Sequence, residues 1–132
     1  LHKSYPGNQD YINSSIRYYK LALAINPEDY ESNYNTAINY YNRGVQRIGQ
    51  IDHNTEIFEL LLIQEECIKL FKQSLPFMLK AHKKDPKRKE TLKGLMAIYR
   101  ALNEYEKSDH YKQTLQDLIS QGVIRDDSKS GK

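Results

Sequence analysis

Four histidines, one cysteine and a pair of adjacent glutamates are the residues of this 132-residue chain best suited to catalysis or metal binding. Protein metal sites recur as His or Cys ligands at short, fixed spacings. His2, His53, His82 and His110 are scattered, and none pairs with Cys67 or a carboxylate in that way. The stretch His53-Asn54-Thr55-Glu56 has no second histidine one helical turn on. Glu65 and Glu66 are neighbours, and neighbours on a helix point about 100° apart, so they do not converge as an acid–base pair. They read as a solvated helix face. Neither a Gly-rich phosphate loop nor a nucleophile elbow occurs. The expectation is a protein without catalysis, metal or cofactor. Cys67 has no partner for an internal disulfide and reads as a small buried hydrophobe.

A different chemistry is offered by Lys80, Lys83, Lys84, Lys87, Arg88, Lys89 and Lys93, a basic stretch suited to a polyanion. Lys80, Lys83 and Lys84 also complement the negative end of a helix, which accounts for them without a ligand. No aromatic residue interleaves to stack bases, so nucleic acid is the weaker alternative. The net charge of +3 is too mild to favour it.

The elements that position these residues are helical. Only 6 Gly and 4 Pro leave few turns, so the elements must be few and long. Apolar spacing predicts helices over about 10–25, 30–48, 55–83, 88–102 and 105–120, with no segment alternating long enough for a strand. Residues 1–9, with Pro6-Gly7-Asn8 as a turn, are expected to be irregular, and 121–132 a polar tail that frays. Asn54 or Thr55 is the expected cap of the third helix. Pro76 falls inside that helix and should kink it. Pro27 and Pro86 end the first and third, because the residue before a proline leaves α geometry. No apolar run is long enough to span a membrane, and no signal-peptide pattern opens the chain. The chain starts at Leu1 rather than Met, which leaves room for an upstream segment; the sequence assigns no compartment.

The two prolines share a register. Counting back from Pro27 gives Ala22, Tyr19 and Ser15; the same offsets from Pro86 give Ala81, Met78 and Ser74. Counting forward gives Tyr40 and Gly44, then Tyr99 and Asn103, with Gly or Asn where a left-handed turn residue is wanted. This pattern resembles the tetratricopeptide repeat, a helix-turn-helix of about 34 residues with A-x3-F and a closing Pro. The resemblance runs from about Tyr11 to Leu118. The repeat's Trp-like place holds Asn33 and Leu92, the small residue of its first helix is Ala37 and then Met96, and the last helix keeps Ser108. The interval between the prolines exceeds one repeat by about 25 residues, close to seven helical turns. Residues 45–73 are therefore expected to prolong both helices of one pair into a protruding hairpin. With "SLPFMLKA", this is similar to bacterial tetratricopeptide proteins with an extended central hairpin.

The resemblance implies an all-α, right-handed solenoid of about five helices over 10–120, acting as a scaffold or adaptor that binds protein. Carried over by register, it places a peptide groove at Tyr34, Ile38, Tyr41, Lys93 and Arg100. It also excludes the family's grip on a C-terminal carboxylate: Asn35 fits, but Glu90 and Gly94 stand where Lys and Arg are needed. The residues themselves point to the hairpin. "IFELLLI" wraps apolar side chains most of the way round a helix, and its antiparallel partner covers one side only. Ile57, Phe58, Leu61 and Leu62 must meet the first helix, a second copy of the chain, residues upstream of Leu1 or another protein.

Overall fold

In a computed structural model of the chain, the structure describes residues 6–125, with side chains from residue 14 onward. Five helices follow in order: α1 Pro6–Ile25, α2 Tyr30–Ile48, α3 Ile57–Lys84, α4 Lys89–Ala101 and α5 Tyr105–Ser120. The fold is all-helical. Each helix packs on the next, and α2 also touches α4.

The prolines act as the sequence predicts at helix ends, while the helix starts need correction. Helix α1 begins at Pro6 rather than near residue 10, so Pro6-Gly7-Asn8 is a first turn, where proline's missing N–H costs nothing. Residues 1–5 lie outside the described residues. Asp29 caps α2 by accepting the Ser32 backbone N–H at 2.8 Å, and the Ser32 side chain, followed by that N–H, holds its carboxyl below the ordinary range. Buried Asn33 fixes the preceding turn, its amide donating to the carbonyls of Pro27 and Asp29 at 3.0 Å each. Asn54 and Thr55 do not cap α3. They close a turn on Asp52, whose carboxylate accepts from the Asn54 N–H at 2.8 Å, and the helix starts two residues later. Helix α3 runs unbroken through Pro76, which is exposed, so the acceptor it leaves unpaired one turn earlier can reach water.

Side chains at two matching places tie the helix pairs together. Ser74 Oγ donates to the Ala37 carbonyl at 2.6 Å, joining α3 to α2. Ser108 Oγ donates to the Met96 carbonyl at 2.9 Å, joining α5 to α4. Two glycines let helices approach further. A β-carbon on Gly44 would lie 2.6 Å from Phe71 Cε1, and one on Gly94 would lie 2.4 Å from Met78 Cε. Gly44 is therefore an α-helical contact point and not the turn residue expected. Asn103 does take the left-handed conformation, with φ 62°, and closes α4 as the Glu104 N–H reaches the Tyr99 carbonyl at 2.8 Å.

The core falls into three clusters. Ala37, Met78, Leu95, Ile98 and Tyr99 form the centre. Ile63, Cys67 and Phe71 continue it along α3, where the Cys67 thiol meets the Gly44 carbonyl at 3.4 Å and burial pushes it up from its ordinary pKa. Leu92, Leu115 and Ile124 form the third. Ile124 belongs to the segment expected to fray. Gly122 at φ 77° turns the chain, the Val123 and Ile124 N–H groups both bond the Leu118 carbonyl, and Ile124 is 7% exposed. Residues 126–132 lie outside the described residues.

The expected hairpin is uneven. Helix α2 stops four residues after Gly44, at Ile48, and the chain returns through the turn residues 49–56. The surplus length goes mainly into α3. Ile51, in that turn, covers the Ile63–Cys67 cluster together with Ala101 and Leu102.

Candidate functional site

Helix α3 shows a bare apolar face at its N-terminal half. Ile57, Phe58, Leu61, Leu62 and Ile68 are exposed, from 45% at Ile68 to 80% at Phe58. The first four recur at three- and four-residue intervals and Ile68 follows Leu61 by seven residues, about two turns, which puts them along one side of the helix. The opposite side carries Ile63, Cys67 and Phe71 into the core. Among the described residues α1 packs on α2, and no contact of α1 with α3 is found. A shallow depression there is lined by Phe58, Leu61, Leu62, Ile68 and two polar residues, Gln64 and Glu65. Glu65 sits near the middle, and its neighbour Glu66 turns aside to bond Arg47 Nε at 2.5 Å. Ile68 was not singled out from the sequence, although its spacing from Leu61 is the signal that would have found it.

Of the five residues carried over to a groove, three lie on α2 and two, Lys93 and Arg100, on α4. Tyr34, Ile38 and Tyr41 are half-buried against the central cluster, with Tyr34 stacked on Tyr30 at 5.9 Å and Tyr41 tilted against Phe71 at 5.3 Å between ring centres. Lys93 instead lines a cavity with Gln116, Ile119 and Arg125 at the far end of α5. The Arg100 guanidinium lies 5.4 Å from the Tyr105 ring centre. Both cations therefore associate with α5 and its flanks, and three aromatic or aliphatic side chains remain as part of the packing.

The basic stretch is likewise divided. Lys80, Lys83 and Lys84 border a cavity with Pro27 and Glu28. Arg88 lies over the Tyr30 ring at 4.2 Å and pairs with Glu31 at 3.1 Å, joining the starts of α2 and α4. Lys89 and Lys93 face the α5 side.

His2 lies outside the described residues, and His82 and His110 meet through one ring. The His82 ring meets Tyr111 edge-on at 5.5 Å, and Tyr111 in turn meets His110 at 5.0 Å. Burial, and after it the His110 charge, holds the His82 imidazole below its ordinary value of 6.5. Among the described residues no three His, Cys, Asp or Glu side chains gather as a metal-holding group, and no helix is long and apolar enough to cross a membrane. Compared with known protein families, curated proteins and solved structures, the chain matches none.

Proposed function

We propose that the chain is a non-catalytic protein-interaction module of tetratricopeptide-like architecture whose docking surface is the apolar face of α3. The observation that carries the reading is the bare row Ile57, Phe58, Leu61, Leu62 and Ile68 on a helix whose other side buries Ile63, Cys67 and Phe71. Burying each such side chain is worth roughly 1.5–3 kcal/mol, so a row of five is a strong drive for association. The repeat reading is supported by the paired serines: Ser74 on Ala37 and Ser108 on Met96 join the residues that the sequence register makes equivalent.

The occupant is an amphipathic helix of a partner protein, with apolar anchors and a Lys or Arg near its centre. Glu65 decides this. A second copy laid antiparallel across the face sets Glu65 either against its own counterpart or over apolar side chains, and burying an unpaired carboxylate is costly. A partner cation opposite Glu65 removes that cost.

Two synthetic helical peptides that differ only in a central Lys or Glu test the reading by fluorescence anisotropy. The Lys peptide should bind and the Glu peptide should bind at least tenfold more weakly, with binding lost in Leu61→Glu. Sedimentation across a concentration series separates the rival. Self-association dissolved by Leu61→Glu would make the occupant a second copy, and a monomer that takes neither peptide would remove this face as a docking surface.

A further inference from the structure

A second groove lies between α2 and α3, beside the apolar face but not part of it. Its volume is about 500 Å³. Arg43 and Arg47 supply one wall from α2, one helical turn apart, and Lys69 and Gln73 supply the other from α3, also one turn apart. The one carboxylate present, Glu66, is already bonded to Arg47, whose guanidinium also reaches Gln50. Neither Arg43 nor Lys69 has a hydrogen bond or an ion pair with any described residue. Cations thus line both walls of a concave surface; Arg47 is held in place by Glu66 and Gln50, and Arg43 and Lys69 have no counter-charge among the described residues.

We infer that this groove binds an acidic peptide segment in extended conformation. In an extended chain, alternate side chains point the same way at about 6.8 Å intervals, close to the roughly 6 Å rise between Arg43 and Arg47. One carboxylate meets Arg43 and Lys69. The next meets the N–H groups of Arg47 that Glu66 and Gln50 leave free, and Gln73 offers an amide to the peptide backbone. Charge-assisted bonds of this kind are about twice as strong as neutral ones. Nucleic acid suits the groove less well. The Tyr40 ring on its floor is buried, stacked on Phe77 at 6.0 Å and covered by Lys20 at 5.5 Å, which leaves no open ring for a base. The inference does not rest on the α3 apolar face, and variants at one surface leave the readout of the other intact.

The test is a nuclear magnetic resonance titration of the full chain with acetyl-Glu-Ala-Glu-Ala-Glu-amide, its Gln counterpart, inorganic phosphate and a short single-stranded RNA. Saturable shifts at Arg43, Arg47 and Lys69 are expected with the Glu peptide and absent with the Gln peptide. The double variant Arg43→Gln, Lys69→Gln should weaken binding about tenfold or more, whereas Lys83→Gln should not. Circular dichroism checks that the double variant is folded, and the single variants serve if it is not. The inference is overturned if shifts map to residues 80–93, if phosphate or RNA binds as tightly as the peptide, or if the folded variants bind like the parent.

Discussion

Gly44 and Phe71 lie so close that a β-carbon on Gly44 would meet Phe71 Cε1 at 2.6 Å, although both residues are inside regular helices. Alanine ordinarily improves a helix interior over glycine by about 1 kcal/mol. Here Gly44→Ala should destabilise instead, by about 1–3 kcal/mol from overpacking. Urea denaturation of Gly44→Ala, Phe71→Leu and the double variant checks this. The double variant should be more stable than the sum of the two single losses allows.

Ser74→Ala should cost about 1 kcal/mol through the lost bond to the Ala37 carbonyl. Ser74→Leu should cost more, about 2–3 kcal/mol, because the site is fully buried against α2. The difference between the two denaturation midpoints separates the hydrogen bond from the close approach.

Ile124→Ala should lower stability by about 2–4 kcal/mol, the range for emptying a buried aliphatic site. Phe58→Ser, by contrast, should change it by no more than about 0.5 kcal/mol, since the ring is exposed. Thermal melts of the two variants would rank them in that order. The reverse order would place Phe58 in the core.

His82 gives a pH dependence of defined sign. Its folded pKa is depressed, so the unfolded chain binds the proton more readily. The neutral imidazole's contribution is intact above the ordinary value of 6.5 and is lost as pH falls through it toward the depressed folded value. The melting temperature should therefore drop between pH 7 and 5.5 by more in the parent than in His82→Gln, and equal slopes would refute the assignment.

Helix ends governed by local chemistry were legible in the sequence, and long-range contacts were not. Pro27 and Pro86 stop helices for a steric reason that needs no neighbour, and α2 and α5 occupy the spans predicted for them. Gly44 was misread because glycine answers two demands, a left-handed turn or a close helix approach, and only the position of Phe71 decides between them. Asn103 met the first demand. Ile124 was hidden in a polar context and becomes core only when Gly122 folds it back onto Leu118. The bare residues of α3 were visible as an excess of apolar side chains over what one helix can cover. The cationic groove was not visible, because Arg43 and Lys69 become neighbours only through the antiparallel register of α2 and α3.

The unequal support along α3 has a thermodynamic reading. Its C-terminal half is gripped from two sides, through Ser74 and Met78, while Ile57, Phe58, Leu61 and Leu62 are exposed. Amide hydrogens should therefore exchange fastest in the first turns and slowest near Met78. A molecule seated on the loose end would slow exchange there first and raise the melting temperature by mass action, so the helix itself reports occupancy.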